Sequence, residues 1–526
     1  MKLNLNYNLM PYWLLYIIFL LVSVVYVYHN ELNCDVGWFL YSADRLLNGA
    51  ILYQDIIEIN TPLIYYFYVI PVWIAKALNI SPILSLYIYL FAITIYAIYL
   101  SWVLLNNLSY LSSNTIHAIL VVFAFLIWVY PTGNHGQREH MVIVMGMPYF
   151  LAVANRAFNR PMSNSITVQV GIYSGIGFML KPHFLLIFLL LEGYLAVISL
   201  KKNHKIKLIK PEFIIISLIA AVYYGFLYIN HDYSKVLALA WETYFAFNCN
   251  YMDILTIPDV LLWLFSCLLL LCYIRNKRHL FKDYIIITIF LVSLGFFLIG
   301  FLQKKGYPYH FYPVGILSII IITYIIINCI ELNYNAKYNI ILIIIFFLGL
   351  STIGVWKCLR HYVRYKNGEI PKIIAIINQH SENKSIYIFS CSVRPAFPVV
   401  NHSKSFWPVR FHHLWPLPAM YYQYLDHQEE FQYHAPDQMR KSERFLFDCI
   451  ISDLIKNPPE LLIFDGKGMS YGWSTSNLFA NSQQIPFDYL IYFSQDDRFI
   501  RLMKNYSYLT SINNYKIYKK QGLSDG

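Results

Sequence analysis

The sequence predicts an α-helical polytopic membrane protein: about eleven transmembrane helices, outer-leaflet juxtamembrane helices, and a C-terminal extracytoplasmic α/β domain. Three observations carry that reading. The 526 residues are 58% hydrophobic and only 13% charged, with a mean hydropathy of +0.47, where a soluble globular chain carries about 45–50% and about 25%. Apolar runs of membrane-spanning length recur as far as Trp356. Beyond Trp356 the composition turns polar and Pro-bearing. A single soluble core, a disordered chain and a fibrous repeat are excluded.

A crossing helix needs about 20 apolar residues. Runs of that kind lie at 11–28, 81–105, 115–131, 141–157, 166–180, 183–200, 212–230, 259–274, 284–302, 311–331 and 339–357. The segment 61–78 is long enough but holds Pro62 and Pro71, and whether it crosses sets the parity of every later loop. Cytoplasmic loops collect Lys and Arg. If 61–78 stays on one side, Lys2 shares its side with Arg156, Arg160, the Lys201–Lys210 loop, the Arg275–Lys282 loop and Lys337. If it crosses, those loops move outside. The segment is therefore read as a helix against the outer leaflet, with the N-terminus inside and the C-terminus outside. Lys2 before the run Tyr12–Val27 could pass for a signal peptide, but no small-residue cleavage site follows, so an uncleaved first helix is expected. Two domains follow: a transmembrane domain over 1–357, whose first outer loop is 29–80, and an extracytoplasmic α/β domain over 358–526. In the latter, Ser385–Ser390 and Leu461–Asp465 read as strands, Arg440–Ile455 as a helix and Tyr506–Lys519 as a terminal hairpin.

The net charge of +11 reads as topology signal before it reads as a binding patch. Eight cysteines show no C-x-x-C pair, so neither a zinc site nor a redox motif is indicated, and whether Cys34 and Cys249 are bridged stays open. Under the inferred topology the acids and imidazoles gather outside, on four segments. The first outer loop opens with Asp35 and continues into an apolar stripe of Trp38, Leu40, Tyr41, Leu46 and Leu47, ended by Asn48-Gly49. A carboxylate there can act on the polar end of a lipid-borne substrate or simply cap a helix. The second segment is Gly133–His140. Glu139, His140 and His135 could hold a divalent cation such as Mg or Mn, and Arg138 could grip a phosphate as a fork; alternatively the run caps the next helix and pairs internally. The third is Lys181-Pro182-His183, either snorkelling anchors or a phosphate contact. In the fourth, Gln303–Pro313, Lys304 and Lys305 stand beside Tyr309 and His310; aromatic-belt residues explain the tyrosines, but the two cations break the inside bias and favour an anionic ligand. Glu192, mid-span, should face the bundle interior.

Asp35 at the end of the first span, the juxtamembrane helices and the Thr61-Pro62-Leu63 segment resemble the GT-C superfamily of membrane glycosyltransferases. Its members include protein O-mannosyltransferases, lipid A aminoarabinose transferases and bacterial arabinofuranosyltransferases. The family's His/Lys-Pro-Pro-Leu string appears here as Asn60-Thr61-Pro62-Leu63, without the basic residue. Glu139 falls where relatives carry a second acid, and Tyr309–Pro313 resembles a Tyr-x-x-x-Pro span entrance. The resemblance covers about residues 10–330. It implies inverting transfer of a sugar from a polyprenyl-phosphate carrier to a lipid, polysaccharide or protein acceptor on the outer side of the membrane, in a bacterial plasma membrane. Asp35 would be the general base, with Glu139 also catalytic. Arg138, Lys181, His183, Lys304, Lys305, Tyr309 and His310 would bind the phosphate, with or without a metal at Glu139, His140 and His135. A transporter or lipid-linked-sugar flippase is the main rival, disfavoured by spans nearly clean of charge. A second rival is a non-catalytic scaffold, for which the stretch Pro395–Pro416, rich in Pro, Trp and His, would cover the site or dock a partner.

Overall fold

The computed structural model describes residues 31–131, 133–201, 209–244, 249–276, 283–333, 349, 352, 356–357, 359–421, 431–470 and 484–521. The expected span 11–28 and nearly all of 339–357 lie outside these. The chain divides into two compact units, the first built on 86–226 and 250–362, the second on 31–85, 227–249 and 363–526.

In the first unit, helices stand at each of the other nine expected spans: Pro82–Asn106, Ser113–Trp128, Arg138–Ala157, Asn164–Met179, Leu185–Lys201, Pro211–Ile229, Pro258–Asn276, Tyr284–Gln303 and Pro308–Asn333. Among the described residues six helices are long and apolar enough to cross a membrane, so the protein is an integral membrane protein. Arg138–Ala157 is buried along its whole length. It packs on Asn164–Met179 so closely that a Cβ on Gly177 would come within 2.7 Å of the Met145 side chain, the close approach that small residues give apolar helices.

Two expectations about charge change here. Arg138, Glu139 and His140 are not loop residues but the first turn of that helix. Arg156, expected as a loop cation, is 3% exposed and grips Glu192 at 2.6 and 3.1 Å, with Tyr149 donating to the same carboxylate at 2.5 Å and Glu212 3.7 Å from the guanidinium. Glu192 does face inward, as a partner in that network. Charges in an apolar bundle persist when they answer one another.

In the second unit the first outer loop packs with C-terminal residues. The helix Cys34–Leu47 is capped by Asn33, whose side chain accepts from the amides of Asp35 and Val36. Its apolar stripe faces the C-terminal residues. Trp38 stacks on His412 at 4.9 Å and meets Phe397 at 5.1 Å, and Tyr41 donates to the Trp407 carbonyl and accepts from the Trp407 amide. The other side of the helix packs Phe39 on Tyr65 and Tyr68 of the helix Leu63–Leu78. The Ile57 amide bonds the Arg410 carbonyl, and Arg410 in turn pairs with Asp453 at 3.0 Å. The Pro/Trp/His-rich stretch is thus occupied by its own chain. No disulfide joins Cys34 and Cys249.

The core of this unit is a mixed sheet of order β1-β2-β6-β5. β1 (Ile386–Phe389) and β2 (Leu461–Asp465) run parallel, with the helix Lys441–Lys456 between them in sequence, as parallel neighbours require. A two-residue pair, β3 (Met469–Ser470) and β4 (Gln484–Ile485), stands apart. β5 (Tyr506–Ile512) and β6 (Tyr515–Lys520) form the terminal hairpin, antiparallel to β2 through β6. β1 and β2 are buried at every position, hence their unbroken apolar runs.

Truncating Trp38, 1% exposed, to Ala should lower stability by about 3–5 kcal/mol. Trp73→Ala on Leu63–Leu78, where Trp73 is 60% exposed, should move it by about 0.5 kcal/mol or less. Thermal unfolding in detergent micelles, followed by circular dichroism, checks both.

Candidate active site

One group of buried charged side chains in the first unit lies at the start of Arg138–Ala157, and the turn before that helix explains how. Gly133 and Gly136 take φ of +98° and +81°, which side-chain-bearing residues rarely adopt. That reversal turns two imidazoles back on the preceding helix. His135 Nε2 bonds the Trp128 carbonyl at 2.9 Å and His140 Nε2 the Ile127 carbonyl at 3.1 Å, while His140 Nδ1 accepts the Gly136 amide at 3.3 Å. Both rings thus satisfy carbonyls that a helix end leaves without partners. Burial pushes His135 down to about 4, so it is neutral at physiological pH. His140 has committed both ring nitrogens. Among the described residues no three His, Cys, Asp or Glu side chains are grouped to hold a metal ion.

Glu139, on the same first turn, is 3% exposed and receives Lys181 Nζ at 2.5 Å. Lys181 leads into the short turn Pro182–Phe184, which fixes its direction. His310, from the start of Pro308–Asn333, completes the triad: its Nε2 lies 3.4 Å from Lys181 Nζ and 3.7 Å from Glu139 Oε1. The charges of Lys181, Arg138 and Lys305, together with the His183 ring, bear on His310. Arg138 and Lys305 are each 5% exposed, Lys181 7%. Tyr309 lies 5.9 Å below the Lys181 ammonium and stacks with Tyr307.

The sequence-predicted residues therefore sort as follows. Arg138, Glu139, Lys181, His183, Lys305 and His310 come together, with Tyr309 beside them. Lys304 turns away, its ammonium 4.0 Å over the Tyr251 ring, because it holds the left-handed C-cap of Tyr284–Gln303. His135 and His140 serve the backbone. Asp35 lies in the second unit, half-buried in the first turn of its helix, where a carboxylate complements the helix dipole.

Sequence reading missed two clusters. In the first unit Tyr130 donates to Asp259 Oδ1 at 2.6 Å, beside Tyr312; the only signal was one acid at the head of an apolar span. In the second, Glu58 (4% exposed) lies 3.0 Å from His412 Nε2, and His413 meets His412 edge to face at 4.1 Å. The His412-His413 dipeptide was visible, but its carboxylate lies far away in sequence.

No family model matches the chain, and no curated protein matches it either. Among solved structures, ArnT from Cupriavidus metallidurans, bound to undecaprenyl phosphate, is similar over 96% of this chain and 97% of that one, with a TM-score of 0.53 and 11% sequence identity. The chain therefore has the fold seen in ArnT.

The His413 ring gives a pH dependence with a defined sign. Burial lowers it to about 3. The unfolded chain takes up that proton near pH 6.5, the folded protein not until about 3, so this contribution is absent above about 6.5 and destabilises as pH falls below it, by about 2 kcal/mol at pH 5. His413→Gln should flatten the loss of stability between about pH 7.5 and pH 5 by that amount, read as a smaller fall in Tm over the same range.

Proposed function

We propose that the protein transfers a sugar from a polyprenyl-phosphate carrier to a lipid, polysaccharide or protein acceptor, on the outer face of a bacterial plasma membrane. The observation that carries the reading is the gathering of Arg138, Lys181 and Lys305 around His310 and Glu139, each 7% exposed or less, at one end of an apolar bundle. Cations sealed among apolar helices match an anionic headgroup attached to an apolar tail. The fold shared with ArnT, whose structure holds undecaprenyl phosphate, supports the same class of ligand.

The chemistry follows from charge. The acceptor O–H gives its proton to the Asp35 carboxylate, its oxygen bonds the anomeric carbon, and the bond from that carbon to the phosphate oxygen breaks with its electron pair. Attack opposite the departing oxygen inverts the anomeric centre. The carrier phosphate goes from a diester with one negative charge to a monoester with two. Arg138, Lys181 and Lys305 therefore bind the departing group more strongly than the bound donor, the condition for lowering the barrier. Glu139 holds the Lys181 ammonium in place. The cations of the chain take the part otherwise given to a divalent ion, because His140 spends both ring nitrogens, and His135 its Nε2, on the backbone.

In membranes supplied with labelled lipid-linked sugars, Asp35→Asn should reduce transfer about 10²–10⁴-fold; undiminished transfer removes Asp35 from the mechanism. Replacing both Lys181 and Glu139 by Gln leaves no lone buried charge, and should weaken undecaprenyl phosphate binding roughly tenfold to a hundredfold. Unchanged affinity in that variant overturns the phosphate site. Transfer should persist in excess EDTA.

A further inference from the structure

The Asp259 cluster lies outside the phosphate machinery yet is built with equal care. Asp259 enters from the first turn of Pro258–Asn276, Tyr130 from just beyond Ser113–Trp128, and Tyr312 and Gly315 from Pro308–Asn333. Tyr130 donates to Asp259 Oδ1 at 2.6 Å, and the Lys357 ammonium lies 4.8 Å over the Tyr130 ring. Gly315 makes the arrangement possible: a Cβ there would stand 2.0 Å from Asp259 Oδ1 and 2.6 Å from the Tyr130 hydroxyl. A glycine inside a helix costs about 0.5–1 kcal/mol relative to alanine, so helix stability is given up to keep this space.

An independent observation points to a ligand. The Tyr312 side chain is 4% exposed, and its hydroxyl is buried without a hydrogen-bond partner among the described residues. A buried hydroxyl left so is disfavoured unless something bonds it. Its ring lies 6.0 Å from Tyr130 and 6.3 Å from His140, the residue after Glu139, so the cluster adjoins the phosphate site. Along Pro308–Asn333, His310 faces the cations and Gly315 the carboxylate, about 7.5 Å further at 1.5 Å per residue.

Resting on the carrier reading above, we propose that Asp259 and Tyr130, packed against the helix backbone at Gly315, form with Tyr312 the subsite that holds the sugar of the carrier. A carboxylate accepts hydrogen bonds at both oxygens, and Tyr130 takes one side of Oδ1; sugar hydroxyls are donors for the rest. The Tyr312 hydroxyl supplies a donor and an acceptor, and the two tyrosine rings offer flat apolar faces to the C–H side of a pyranose. A carboxylate also suits the ammonium of an amino sugar, so the subsite sets which sugar is accepted. Asp259 is a specificity residue here, and the departing phosphate remains with the cations.

The test compares carriers of equal charge. Purified full-length protein in detergent is titrated by native mass spectrometry with undecaprenyl methyl phosphate, which has the diester charge without a sugar, and with undecaprenyl phosphate carrying glucose, galactose or glucosamine. Wild type should bind at least one sugar carrier about tenfold more tightly than the methyl diester, the worth of one charge-assisted hydrogen bond. Asp259→Asn, isosteric with the native residue, should abolish that preference and leave methyl diester binding within about twofold. Tyr312→Phe, which keeps the ring, should reduce the preference in part, and Gly315→Ala should remove it. Equal binding of all four lipids by wild type overturns the subsite alone, as does a preference that survives in Asp259→Asn. Failure of wild type to bind any of the four overturns the carrier reading and the subsite with it. Preference for the glucosamine carrier alone supports the subsite and assigns it an ammonium.

Discussion

A lysine ammonium 2.5 Å from a carboxylate, both closed in by apolar helices, is the constraint on which the site depends. Taking either charge out of water is expensive, and removing one partner leaves the other uncompensated at a cost of several kcal/mol. The pair therefore fixes the Gly133–His140 turn against the Lys181 turn, and His310 joins them from a third helix. The charges of Arg138 and Lys305 act on His310 together with that of Lys181. A site that neutralises phosphate needs cations that are dry, since a charge is worth far more away from bulk water. Glu139 is the counter-charge that Lys181 meets there.

A second network obeys the same electrostatics and reaches a different end. Arg156 is satisfied bidentately by Glu192, with Tyr149 on the same carboxylate and Glu212 close by. Here a lone cation meets two acids and the helices Arg138–Ala157, Leu185–Lys201 and Pro211–Ile229 are tied together. The two ends of one buried helix thus hold opposite balances of charge. The Glu139 end, with its surplus of basic side chains, suits an anion; the Arg156 end is closed on itself and serves packing.

How much of this was legible follows from the range of each interaction. The spans, the strands at 386–389 and 461–465 and the terminal hairpin were readable because periodicity and apolar runs are local. The crowding of His135, Arg138, Glu139 and His140 was readable as composition. Its division of labour was not, because which ring turns back to a carbonyl depends on the positive φ of Gly133 and Gly136. Glu139 and Lys181 were each visible, but their pairing spans 42 residues. Asp259 was overlooked because one acid after a proline at the head of a span is what a helix dipole favours in any case. Its partners Tyr130 and Gly315 looked like ordinary span residues.

The grouping of the first outer loop with the C-terminal residues was hidden for a related reason. An amphipathic stripe such as Trp38, Tyr41 and Leu46 at the membrane boundary suits lipid and protein equally well. What decides is hydrogen bonding. Trp407 offers Tyr41 both an amide and a carbonyl, Asn401 donates to the Gly37 carbonyl at 2.9 Å, and Ile57 finds the Arg410 carbonyl, none of which a lipid tail provides. A Cβ on Gly37 would stand 2.6 Å from Asn401 Oδ1, so this contact is as close as backbone allows. The helix that carries Asp35 is thereby held by the C-terminal sheet's own connections. Asp35 is positioned by protein packing, while Tyr66, Ile70 and Trp73 of the neighbouring helix are exposed. In the proposed transfer, a carboxylate mounted on that scaffold would keep its orientation while a carrier enters and leaves.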